Sequence, residues 1–354
     1  MSRYLREAYQ DFEAYTPGEQ PKDTQYVKLN TNESPFPPAP SVIRALNGTD
    51  LERLRLYPDP TGSRLKTKIG ELYGVGPENV FLTNGSDDII NFAFMAFNDP
   101  GTEIAMPEIS YSFYNVIAKL HAIKPLIIPL KDDMTIDPAD YIGIGKNIVI
   151  PNPNAPTGLE LGLDAIEAIV KSNPDNVVLI DEAYVDFGGT SSVPLTKKYD
   201  NLLVSQTFSK SRSFAGGRLG FAIADKGLIA DLGKMQFSTN PYNVNNLTLI
   251  LAEAAIDADE YYQANCRRIE AIREEAIRQL TARGFDVLPS KTNFVFAKHR
   301  TISGDDIYKG LKARGVLVRH FSDPKITDYC RITIGNEAQM QTLYDKLDEL
   351  MSQA

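Results

Sequence analysis

The chain of 354 residues is poor in the residues that build metal sites and disulfide frameworks, with only two cysteines, Cys266 and Cys330, and three histidines. Two isolated thiols make neither a stapled scaffold nor a zinc centre, and a reducing cytoplasm is the simplest expected compartment. The histidines are too dispersed for a metal cluster or a Ser-His-Asp set. No run approaches the roughly 18 uninterrupted apolar residues that a membrane helix needs. The opening MSRYLREAYQDFEAY lacks the apolar stretch of a signal peptide. A formal charge of −9 leaves no basic surface to hold a nucleic-acid backbone, so neither nucleic acid nor membrane is an expected partner. There is no internal repeat, no low-complexity segment and no Gly-x-x-x-x-Gly-Lys-Ser/Thr loop. The best candidate for a dinucleotide fingerprint, Gly143-Ile144-Gly145, lacks its third glycine and precedes a strand instead of linking strand to helix. That context argues against an NAD-binding oxidoreductase.

What is present is a soluble composition, 43% hydrophobic and 23% charged, with enough apolar material for a substantial core. The first part, with TPGEQP and TNESPFPPAPS, is rich in turn formers and cannot build its own core, so it is expected to lie across another surface. From about Leu65, short apolar segments alternate with helical ones: NVFLT (79–83), TEIAM (102–106), PLIIPL, NIVI (147–150), NVVLI (176–180), NLLVSQ (201–206) and GFAIAD (220–225). This alternation predicts a mostly parallel seven-stranded sheet covered on both faces. Beyond Asn240-Pro241 a charged helix over roughly 257–283 and strands at TNFVFA, GVLV and YCRITI predict a smaller α/β domain. The expected division is an N-terminal arm (1–40) associated with the small domain, a large domain (41–245) and a small domain (246–354).

Ligands of open parallel sheets bind beyond the carboxyl ends of the strands, so the residues that follow each strand matter most. After NVFLT, Asn84-Gly85-Ser86-Asp87-Asp88 opens a helix. Fresh helix amides behind a glycine turn suit a phosphate, although ordinary capping by Ser86 or Asp87 would give the same pattern. After NIVI comes the proline-rich turn Pro151-Asn152-Pro153-Asn154-Ala155-Pro156-Thr157-Gly158. After NVVLI comes Asp181-Glu182-Ala183-Tyr184, where an acid at a buried strand end needs a partner. After NLLVSQ, Lys210 is flanked by Thr207, Ser209 and Ser211 and by a bend ending in Gly217-Arg218. These are phosphate-binding groups arranged around an amine. Each segment alone has an ordinary structural reading; the four in one order do not.

That order, NGSD, PNAPTG, DEAY and TFSKS…GGR, resembles the fold type I aminotransferases, which depend on pyridoxal 5'-phosphate (PLP). LNTNESPF, RLYPDPTG, DEAYVDF and CRITIGN narrow the resemblance to the histidinol-phosphate aminotransferases, and it runs from Tyr15 to Asn336. It implies a homodimer that converts L-histidinol phosphate and 2-oxoglutarate to imidazole-acetol phosphate and L-glutamate, a step of histidine biosynthesis. It also implies roles. Lys210 would carry the cofactor and move the proton, Asp181 would pair with the pyridine nitrogen, and Tyr184 would bond the ring's phenolic oxygen. Tyr111 would stack on the ring. Gly85, Ser86, Asp87, Thr207, Ser209 and Arg218 would hold the phosphate, with Tyr57 reaching it from the neighbouring subunit. Arg331 would bind the substrate carboxylate and phosphate, Tyr15 would close over the same group, and Arg319 would be either a second phosphate-binding arginine or a surface charge. His320 reads as solvent-facing. The family's usual asparagine before Pro-Thr-Gly is replaced by Ala155, which leaves Asn154 as the only nearby substitute. Aromatic aminotransferases and a decarboxylase of threonine phosphate share the fold and are the alternatives of closest chemistry.

Overall fold

Seven apolar segments pair into one sheet, and all but the edge segment Lys124–Ile128 alternate their buried residues between two covered faces. The computed structural model describes residues 2–10, 12–21 and 25–352. Its strands are β1 (Val27–Lys28), β2 (Val80–Thr83), β3 (Glu103–Pro107), β4 (Lys124–Ile128), β5 (Asn147–Pro151), β6 (Val178–Asp181), β7 (Leu202–Thr207), β8 (Gly220–Ala224), β9 (Phe285–Val287), β10 (Phe294–His299), β11 (Val316–Leu317), β12 (Arg319–His320) and β13 (Tyr329–Thr333). The large sheet has the order β2-β8-β7-β6-β5-β3-β4. Within it, Ile148, Ile150, Val178, Ile180, Leu202 and Val204 face one apolar cluster. The intervening Val149, Leu179 and Leu203 face another. This period of two, apolar on both sides, is the pattern of a sheet sandwiched by helices. Truncating a fully buried side chain here, as in Leu203→Ala, is expected to cost about 2–5 kcal/mol.

The helices Ser86–Phe97, Phe113–Leu120 and Lys226–Thr239 cover the Leu179 face, and Ser63–Tyr73, Leu163–Ser172 and Asn246–Ile256 cover the other. The pairings β3–β4, β3–β5, β5–β6 and β6–β7 are parallel, while β8 runs antiparallel to both β7 and β2. The reason for this exception is local. A parallel return needs a crossover, usually a full helix, and the chain between Thr207 and Gly220 holds only a short 3₁₀ turn.

A second core gathers Leu29, Cys266, Ile269, Phe285, Val295, Val318, Cys330, Ile332 and the apolar face of Glu337–Met351. It is organised by the antiparallel sheet β12-β13-β10-β9 and by β1 paired parallel to β11, which ties the N-terminal segment to this unit. The sequence reading places 246 onward in the small domain, whereas Leu249, Ala252, Ala255 and Ile256 pack into the large core. The two cores instead part company within the helix Asp259–Ala282, whose Tyr262 joins the first and whose Cys266 and Ile269 join the second. No helix among the described residues is long and apolar enough to cross a membrane.

Candidate active site

The carboxyl ends of β2, β5, β6 and β7 meet at one edge of the large sheet, where they deliver the residues singled out above. Asp181, the last residue of β6, is 5% exposed. Tyr114 donates a 2.8 Å hydrogen bond to its Oδ2, and its Oδ1 has no partner. Burial pushes the carboxyl up to about 6; the Tyr114 hydrogen bond and the Lys210 ammonium oppose that rise. A buried acid with one oxygen satisfied and one left open is costly unless a donor arrives, so the free oxygen fits a protonated ring nitrogen. Lys210, in the loop after β7, is half-buried; its Nζ donates to the Thr31 carbonyl at 3.3 Å and lies 5.8 Å from the centre of the Tyr184 ring.

A phosphate cradle lies beside them. Gly85 has φ +92° and caps the helix Ser86–Phe97, so the first amides of that helix point outward. A side chain at Gly85 would come within 2.5 Å of Arg218 Nη2, and one at Gly220 within 2.5 Å of the Ser86 nitrogen. The two glycines therefore let the guanidinium and the helix end converge. Arg218 itself is held at φ +54°, a conformation that non-glycine residues seldom adopt outside functional sites. Its guanidinium lies 3.8 Å from Asp87, and Tyr111 donates to the other Asp87 oxygen at 3.1 Å. Thr207 and Ser209 are buried and bonded to each other at 3.0 Å. Open helix amides, one arginine and two hydroxyls make a donor set that suits a dianion.

The opposite wall is made by the small domain. Arg319 and Arg331 are direct cross-strand partners on β12 and β13, so both project to one face. Like charges in that position repel. Neither forms a salt bridge among the described residues; Glu19, which also feels the Arg319 charge, is bonded by Lys312 and Tyr308. Arg331 donates to the Asn30 carbonyl at 3.2 Å and leaves Nε unpaired. Burial lowers its pKa, the Arg319 charge adds to that, and Tyr184, Tyr15 and Tyr111 oppose it. Tyr15 stands edge-on to Tyr111 and Phe113, with ring centres 5.9 and 5.6 Å apart.

Some expectations meet a different geometry. Asn154 gives both amide hydrogens to the Ile109 carbonyl (2.9 Å) and Thr157 Oγ1 (3.1 Å), so no donor remains for a ring oxygen. The geometry thus does not carry its substitution for Ala155. Tyr57 is 80% exposed and stacks on Tyr242. His320 is half-buried; its Nε2 bonds the Thr327 carbonyl at 2.7 Å and its ring stacks on Tyr308. Two residues enter that the sequence reading missed. Tyr114 lies in the first turn of the helix Phe113–Leu120, three residues after Tyr111. Asn32, in LNTNESPF, donates to the Tyr184 hydroxyl at 2.9 Å, and only the folded arm reveals that contact.

The chain belongs to the class I and II aminotransferase family, whose pattern it matches over residues 24–347. Within that family it is similar over nearly its whole length to histidinol-phosphate aminotransferases. It is 49% identical over 348 residues to the one from Brachyspira hyodysenteriae (98% of each chain) and 44% identical over 352 residues to the one from Clostridium acetobutylicum (99% of this chain, 100% of the relative). The fold matches that of the histidinol-phosphate aminotransferase from Sinorhizobium meliloti, solved in complex with pyridoxal-5'-phosphate, with a TM-score of 0.89 at 22% identity and coverage of 100% of this chain and 99% of that one.

Proposed function

We propose that the protein is a PLP-dependent transaminase that exchanges amino groups between L-histidinol phosphate and 2-oxoglutarate, in histidine biosynthesis. The observation that carries the substrate class is the cross-strand pair Arg319–Arg331. Two guanidiniums on one face, with Arg331 Nε buried and unpaired, fit a phosphate in one half-reaction and a carboxylate in the other. Relatives that carry this name at 43–49% identity support the same reading.

When bound, PLP supplies an electron sink for the carbanion formed at the substrate carbon. The chain supplies the rest. Asp181, through its open Oδ1, would pair with the pyridine nitrogen and keep it protonated. Tyr184 donates to the phenolic oxygen. Lys210 would anchor the cofactor through its amine and would carry a proton to and from the reacting carbon. The Ser86 and Asp87 amides, Thr207, Ser209 and Arg218 hold the phosphate. Arg331 orients the substrate anion while Tyr15 covers it from the arm.

The working unit in this reading is a homodimer in the cytoplasm. Leu51, Leu54, Leu56 and Tyr57 are at least half exposed in a single chain, and a second subunit would cover them and receive Tyr57 at its phosphate. Product formation from histidinol phosphate should depend on 2-oxoglutarate. Turnover of threonine phosphate without an acceptor, or a preference for phenylalanine, would replace this reading with that of a decarboxylase or an aromatic aminotransferase.

A further inference from the structure

Ala155 leaves the cofactor's phenolic oxygen with one side-chain donor, Tyr184, and a phenol is a dependable donor only if its hydrogen has a fixed direction. Asn32 supplies that direction. It is 1% exposed, sits at φ +58°, where asparagine is among the few tolerated residues, and places Nδ2 2.9 Å from the Tyr184 oxygen. The orientation of its amide follows from its other neighbour. Thr333 Oγ1 accepts from the Asn32 backbone nitrogen at 3.0 Å and donates to Asn32 Oδ1 at 2.9 Å. A reversed amide would turn an NH2 group onto the buried Thr333 hydroxyl and leave its hydrogen without an acceptor. Asn293 also fixes the Asn32 carbonyl at 2.9 Å. With Nδ2 as donor, the Tyr184 oxygen must accept, so its own hydrogen points away from Asn32.

We infer that Asn32 is a positioning residue that turns the Tyr184 hydroxyl into an obligate donor toward the cofactor's phenolic oxygen, compensating for the missing asparagine at position 155. The inference rests on the transaminase reading above. A donated hydrogen bond strengthens the hydrogen bond that the same hydroxyl donates in turn. Such a donor stabilises the anionic phenolic oxygen, so its loss moves the pH at which the lysine-bound cofactor changes colour upward.

The test is a pH titration of the visible absorbance of the holoenzyme, with cofactor dissociation measured alongside. Asn32→Ala removes the donor. Asn32→Asp keeps shape and backbone preference but offers an acceptor that pulls the Tyr184 hydrogen away, and its melting curve reports whether the fold is kept. Both variants are expected to raise the midpoint by about one pH unit. Tyr184→Phe should raise it similarly, and adding Asn32→Ala to Tyr184→Phe should add little. A midpoint that stays in place in Asn32→Asp while Tyr184→Phe moves it would overturn the inference and leave the transaminase reading standing. Wild-type protein that takes up no PLP would bring down both.

Discussion

The hydroxyl of Tyr114 lies 2.8 Å from Asp181 Oδ2, deep under the large sheet's carboxyl edge, and satisfies one oxygen of a carboxylate whose other oxygen is open. The bond works against burial, which pushes the Asp181 carboxyl up to about 6. Removing it with Tyr114→Phe should raise the Asp181 pKa further. A hydrogen bond to a charged group contributes about 1.5–3 kcal/mol, so kcat should fall roughly 10- to 100-fold. The acidic limb of its pH profile should move to higher pH. An unchanged limb with a lower kcat would mean that Tyr114 only fills space.

The same carboxyl makes the cofactor-free protein sensitive to pH. Its folded pKa, about 6, exceeds the ordinary value of 3.8, so the folded state binds the proton more tightly than the unfolded chain. That contribution to stability is complete below about pH 4 and is lost as the pH rises through 6, on the order of 2–3 kcal/mol. Glu182, pushed up to about 7 by burial although four hydrogen bonds oppose it, acts in the same direction over a slightly higher window. Melting temperature of the cofactor-free protein should therefore decline from pH 5 to 8. Asp181→Asn should flatten part of that decline and stabilise the protein at pH 8 while abolishing transamination. PLP should recover part of the loss in the wild type only.

The arginine pair should separate the two half-reactions. Arg331→Ala removes a buried guanidinium that feels Tyr184, Tyr15 and Tyr111 and should lower kcat/KM for both glutamate and histidinol phosphate by about 100-fold. Arg319→Ala should cost the phosphorylated substrate more than glutamate. Equal losses for both substrates would remove the phosphate from its assignment.

Sedimentation should show how the exposed apolar rim is covered. The chain, of mass 39.3 kDa, should run at twice that mass. Tyr57→Ala should weaken PLP retention without breaking the dimer. A monomer that keeps PLP and full activity would contradict the role given to Tyr57.

The large sheet is legible in sequence because its strands are apolar on both faces and its helices punctuate them. Lys210, Asp181 and Tyr184 are legible because each sits at or just after a strand's carboxyl end, where an open sheet places its ligands, and Arg218 because it closes the glycine bend before β8. The direction of β8 is not, since it depends on how few residues separate Thr207 from Gly220. Tyr114 and Asn32 escape for another reason. Their meaning lies in partners 67 and 152 positions away, and no local pattern encodes a hydrogen bond across that distance. The helix Asn246–Ile256 misleads because it is apolar like a core helix of either unit, and only packing decides which core receives it.

The most direct test is mass spectrometry of the purified protein after incubation with PLP and reduction with borohydride. The account predicts a single added pyridoxyl phosphate on the peptide that contains Lys210, absent in Lys210→Ala. Attachment at another lysine, or none at all, would contradict it.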